Sequence, residues 1–67
     1  MKIDLVEQRR KDMGITVKHM AAALDIDVST YYRKLKNNGE GFAAVDLNIF
    51  KRELKLNEQQ ALDFLLG

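Results

Sequence analysis

"ITVKHMAAALDIDVSTYYRKLKN" runs from Ile15 to Asn37, and how it divides decides the fold. Thr16 stands directly before a run of helix formers, where its hydroxyl can accept from an orphaned backbone N–H and cap a helix. Met20, Ala21 and Leu24 recur at the spacing of one helical face. The pattern breaks at Asp25-Ile26-Asp27. Asp27 is a natural N-cap for a further helix over about 28–36, with its negative charge at the positive helix end. A connection of about three residues makes two helices cross steeply instead of lying antiparallel, which is the geometry of a helix-turn-helix.

On the wheel of that further helix, Tyr31 and Leu35 share a face and point toward Met20, Leu24 and Ile26. Val28, Tyr32 and Lys36 form another stripe, with Ser29 and Arg33 beside it, facing away. The adjacent tyrosines therefore differ in role. Tyr31 fills the core and its hydroxyl needs a partner at the edge, whereas Tyr32 lies outside among Arg33 and Lys36. Short side chains at the N-terminus followed by long donors suit a helix entering a DNA major groove. Val28 can pack on a thymine methyl, Ser29 can donate to a base edge or phosphate, and Arg33 can fork onto guanine O6 and N7, each good bidentate contact being worth about 1–3 kcal/mol of discrimination. Plainer readings stand beside these: a solvated face for Arg33, Lys34 and Lys36, rim cover for Tyr32, and a core position for Val28.

Helices are expected on both sides of this stretch, since the chain has no proline and no repeat or low-complexity tract. A first helix over about 3–13 has Val6 and Met13 on its inner face, with Gly14 ending it in the left-handed conformation. "NNGEG" (37–41) is turn-rich, and Asn37 or Asn38 can take positive φ there. A fourth helix over about 44–54 puts Leu47, Phe50 and Leu54 on one face. Asn57 caps a fifth over about 58–66, with Gln60 completing a possible capping box. The expectation is an all-α fold, a compact bundle of five short helices with no sheet.

At 67 residues the chain is long enough for one domain (1–67) whose core supplies only a few kcal/mol. It has no cysteine and one histidine, so a disulfide framework and a zinc-built domain are excluded. No segment reads as a signal peptide or approaches the roughly 20 apolar residues of a membrane span, so a cytoplasmic, nucleoid-associated location and no membrane partner are expected. The net charge is only +1, but it is uneven: residues 1–36 carry +3 and residues 37–67 carry −2. One side of the molecule is thus suited to an anion.

The quoted stretch resembles the helix-turn-helix of the phage Cro and lambda-repressor-like regulators. The resemblance rests on the polar cap Thr16, Ala21 at the tight crossing, apolar Leu24 and Ile26 around the turn, and "STYYRKLKN" (29–37). It extends to "GFAAVDLNIFKRELKLNEQQALDFLL" (41–66), which is similar to the last two helices of small phage repressors and Cro-like proteins, and so covers nearly the whole chain. It implies DNA reading at Val28, Ser29, Tyr32 and Arg33; Lys36, from the same outward stripe, and Asn37 at the helix end complete the candidate DNA-binding set. It also implies phosphate contacts at Thr16, Val17 and Lys18, and a basic residue near phosphate at Arg10. Asp25 stands where the family usually has glycine, so it must adopt positive φ. Val17 stands where a glutamine often helps to anchor DNA, which leaves its backbone N–H as the donor.

Other chemistry finds little support. His19 has no ligand-spaced Asp, Glu or Cys in its helix and reads as a surface residue. Turn and cap duties account for Asp25 and Asp27. "GEG" (39–41) lacks the strand, lysine and further glycines of a phosphate loop. No nucleophile–base–orienter set can be assembled, so no enzymatic activity, cofactor or metal is expected. Val45 and Ile49 lie on a flank of the fourth helix, and the last helix offers more apolar residues than one stripe can bury. Either the terminal helices close the core from several sides, or Ile49, Phe64, Leu65 and Leu66 form a homodimer contact.

The expected function is a phage or prophage regulator that binds double-stranded operator DNA as a two-fold dimer, with half-sites about 34 Å or a multiple apart. The alternative is an antirepressor-type protein that binds another phage regulator instead of DNA. An excisionase- or antitoxin-like DNA binder is a third reading.

Overall fold

The hydroxyl of Thr16 accepts from the His19 N–H at 3.0 Å, and the helix it caps, with the one that follows, organises the molecule. The computed structural model describes all of residues 1–67. Helix α1 covers Ile3–Asp12, α2 Val17–Ala23, α3 Val28–Lys36, α4 Ala44–Glu53 and α5 Glu58–Ala61, and a π-helical turn follows over Leu62–Leu66. There are no strands, and no helix is long and apolar enough to cross a membrane.

Local chemistry sets most of the boundaries. Gly14 ends α1 at φ 71°, with its N–H on the Lys11 carbonyl. Asp25 adopts φ 59° between α2 and α3, the conformation required of it in that turn. Asp27 occupies the N-cap of α3 but its side chain caps nothing, so its contribution there is charge near the helix end and not a hydrogen bond. In the 37–41 stretch positive φ falls on Asn38, at 57°, and on Gly39 and Gly41, at 77° and 92°. Asn37 is the C-cap of α3 at φ −93°. Asn57 and Gln60 form a reciprocal capping box, with bonds of 2.7 and 3.0 Å. At the start of α4 the Asp46 carboxylate accepts from the Ala43 N–H at 2.8 Å.

The expected α-helix over 58–66 holds only to Ala61, after which the backbone widens into the π turn. This segment is pulled onto α1. The Lys2 N–H donates to the Phe64 carbonyl at 2.8 Å, and the Lys2 ammonium donates to Asp63 at 2.7 Å. The C-terminal segment thereby closes the core from α1's side and carries Leu65 inward.

The core comprises Val6, Met20, Ala21, Leu24, Tyr31, Phe50, Leu54, Leu56 and Leu65. Phe42 packs edge-on to Phe50 at 5.1 Å between centroids and lies 6.4 Å from Tyr31, so an aromatic row connects α3 to α4. With extents of 29 × 23 × 19 Å, the domain holds only one such layer.

Lys55, just past α4, has φ 51°. A non-glycine side chain there is strained, and Lys lacks the short polar group that eases Asn and Asp into this region. Lys55 is exposed. Its carbonyl and that of Leu54 accept from the Arg9 guanidinium, at 3.5 and 3.0 Å, contacts that glycine would keep. Lys55→Gly should therefore raise the melting temperature by about 2–6 °C, measurable by circular dichroism. A lower melting temperature would show that the lysine side chain contributes more than its backbone strain removes.

Candidate nucleic-acid interface

Helix α3 turns its two tyrosines in opposite directions. Tyr31 is fully buried, whereas Tyr32 is 52% exposed. Val28, at 38% exposed, sits on the margin between core and surface, which is why the wheel alone leaves its role open. Ser29, Arg33, Lys36 and Asn37 are exposed. Val28, Ser29, Tyr32, Arg33 and Lys36 thus present one outward stripe, and neither Arg33 nor Lys36 enters an ion pair. Thr16 and Lys18 are exposed at the start of α2, and Lys18 is also unpaired. Val17 is half-buried and packs against the core, leaving its backbone N–H as the polar group it can offer.

Lys34, between Arg33 and the half-buried Leu35, is committed elsewhere. Its ammonium donates to the Gly41 carbonyl at 2.7 Å and lies 5.1 Å from the centre of the Phe42 ring. It fastens the 37–42 turn to α3 and is not part of the free basic stripe.

Arg10 is a correction. The resemblance implies a place near phosphate, but Arg10 is buried. Its Nε and Nη2 donate to the two Glu7 carboxylate oxygens at 2.8 and 3.0 Å, and its Nη1 donates to the Ile15 carbonyl at 2.7 Å. Neighbours in a helix lie about 100° apart, so the run Arg9-Arg10-Lys11 splits over three directions: Arg9 onto the end of α4, Arg10 inward, Lys11 to solvent.

Glu7 also accepts from the Tyr31 hydroxyl, at 2.8 Å, which supplies the partner that a buried tyrosine needs. Burial pushes the Glu7 carboxyl up, but hydrogen bonds from Arg10 and Tyr31, with the charges of Arg10 and Lys11, outweigh it and hold the group below its ordinary value. Burial, then the bond to Glu7, pushes the Tyr31 phenol well above its ordinary range, so it stays a donor. The bond to Glu7 raises Arg10 against the opposing effect of burial. No buried side-chain nitrogen or oxygen is left without a partner.

His19 and Glu53 meet across α2 and α4 at 2.7 Å, a pairing absent from the sequence reading because 34 residues separate them. The hydrogen bond from His19 is the main reason the Glu53 carboxyl lies below its ordinary range. No group of three or more His, Cys, Asp or Glu side chains is assembled that could hold a metal ion.

The apolar face expected from Ile49, Phe64, Leu65 and Leu66 is rearranged. Leu65 is buried in the protomer's own core, and Phe64 and Ile49 are half-buried against it, because the π turn draws the chain end inward. Of the four only Leu66 stays outward, exposed by 67%, and it is joined by Val45 and Leu62, at 63 and 53%. Leu62 and Leu66 border a groove of about 300 Å³ between α4 and the C-terminal segment, floored by Leu47, Ala61 and Leu65, with Lys51 and Glu58 paired at its rim.

No protein-family model, no curated protein and no solved structure matches this chain.

Proposed function

We propose that the chain is a sequence-specific double-stranded DNA-binding regulator of the Cro or repressor kind, with α3 lying in the major groove. The observation that carries this reading is the outward stripe of α3. There a half-exposed apolar residue, a small hydroxyl, an exposed tyrosine and two unpaired cations share one side of a helix whose opposite side is anchored in the core. Direct readout needs this division, because the reading side chains must be free while the helix that carries them is not. Thr16, the Val17 N–H and Lys18 would hold phosphate beside it.

Two copies would act on a two-fold operator. The groove flanked by Leu62 and Leu66, with Val45 nearby on α4, supports a contact between copies. Lys51 and Glu58 at its rim are of opposite sign, so a two-fold partner can exchange them across the interface. A specific interface of standard size takes about 800 Å² per partner, a large share of the 4304 Å² total surface. A pairing centred on this groove alone would be weak and would form mainly on DNA.

Selection of duplexes from a random pool tests this directly. The expected product is a two-fold sequence with half-sites one helical turn, or a multiple, apart. Recovery of single, unpaired half-sites would remove the dimer, and recovery of no preferred sequence would remove the regulator. On the selected duplex, log affinity should fall steeply with log salt. Arg33→Ala should reduce discrimination at one base position by about 10- to 100-fold, with the fold intact because its side chain is exposed and enters no ion pair. An unchanged preference after this substitution would show that Arg33 does not read a base. Stoichiometric capture of a larger regulator without duplex binding at low salt would favour the antirepressor-type reading.

A further inference from the structure

We infer that Glu7, acting through the Tyr31 hydroxyl, is a positioning residue for DNA reading: it fixes the rotation of α3 about its own axis and so the direction of Tyr32 and Arg33. This inference rests on the DNA-binding reading above. The Tyr31–Glu7 contact is the one side-chain hydrogen bond that joins α1 to α3. Glu7 is itself held from the other side by two bonds from the buried Arg10, whose remaining donor grips the Ile15 carbonyl in the α1–α2 connection. The network thus references α3 to the same connection from which Thr16 and Val17 begin α2.

Apolar packing alone fixes this rotation loosely. The Tyr31 ring lies among core partners such as Met20, whose unbranched side chain adapts to small shifts, and Phe42, whose tilted contact at 6.4 Å tolerates a range of angles. A hydrogen bond is less forgiving. With side chains the helix has a radius of about 5–6 Å, so a 20° rotation moves its outer groups by roughly 2 Å. That is several times the width, about 0.5 Å, of the hydrogen-bond distance range. The rotation would break the Tyr31–Glu7 bond and carry Arg33 off a base edge by the same amount. Tyr31 and Tyr32 are adjacent and meet edge-on at 6.4 Å, so Tyr32 moves with the anchored ring.

Three variants test this, compared by the ratio of affinity for the selected duplex to affinity for a scrambled one, the salt slope and the melting curve. Tyr31→Phe keeps the ring and removes only the hydroxyl. Its ratio should fall about fivefold, the equivalent of one net hydrogen bond, with the salt slope unchanged because phosphate contacts remain and with melting still cooperative. Glu7→Gln should lower the ratio at least as far, and where it fails to fold Tyr31→Phe decides. Leu56→Ala, a core truncation outside both the network and the groove between copies, should lower the melting temperature yet keep the ratio within about twofold, the size of effect that truncation remote from the contact is expected to have. A Tyr31→Phe ratio equal to that of the unaltered protein, or an equal fall in Leu56→Ala, overturns the positioning role. A ratio near one in the unaltered protein overturns the DNA-reading proposal instead.

Discussion

Phe50→Ala is expected to leave the domain largely unfolded at 25 °C. Phe50 is fully buried and stands edge-on to Phe42, which in turn leans on Tyr31. Removing the ring takes out the fully buried α4 end of the aromatic row, and the typical loss for such a truncation is about 3–5 kcal/mol. A core of this size seldom provides more than that in total. Far-UV circular dichroism should show lost helicity and no cooperative melt. The aromatic row also joins α4 to α3, so restoring helicity with a stabilising osmolyte should not restore duplex discrimination to the same extent. A cooperative melt within about 10 °C of the unaltered protein would mean that the neighbours collapse into the space.

The sequence makes legible those features whose causes lie within a few residues. Thr16 and Asn57 cap helices because their acceptors reach N–H groups three positions on. Gly14 and Asp25 take positive φ because a short turn requires it. The opposed tyrosines follow from helical period alone, and so does the outward position of Arg33. What the sequence leaves unread depends on partners brought together by packing. Tyr31 and Glu7 are 24 residues apart, and Arg9 and Leu54 are 45. Arg10 stands four residues past Val6 and three before Met13, so the helical period puts it on the inner face; the resemblance alone assigns it to phosphate, because the Tyr31-bound Glu7 that holds a cation there is brought into place by packing. The same holds at the C-terminus. Its surplus of leucines is evident, but which of them face out is set by the Lys2–Phe64 and Lys2–Asp63 contacts. Lys34 shows the reverse case: a lysine within the basic helix whose charge is used internally on Gly41 and Phe42.

Glu7→Ala should destabilise the fold by about 2–4 kcal/mol, since it leaves the Arg10 cation without its carboxylate and the Tyr31 hydroxyl without an acceptor. The lower part of the usual range applies because the Glu7 and Arg10 side chains keep 18 and 9% exposure. The same contact predicts the response to acid. Glu7's carboxyl lies below its ordinary value of 4.5 in the folded protein, so the unfolded chain binds that proton more readily. The stabilisation is therefore complete above about pH 4.5 and is lost as pH falls through the lower folded value. Glu53 is also held low, by His19, and adds acid lability of the same sign, so the measurement belongs in a Glu53→Gln background. There, urea midpoints followed downward from pH 6 should drop below pH 4.5 when Glu7 is present. With Glu7→Ala the curve should start lower and fall less over the same interval. Parallel curves would mean that Glu7 does not carry the acid response and that Arg10 finds another partner once the carboxylate is gone. In that case α3 would depend on packing alone for its orientation.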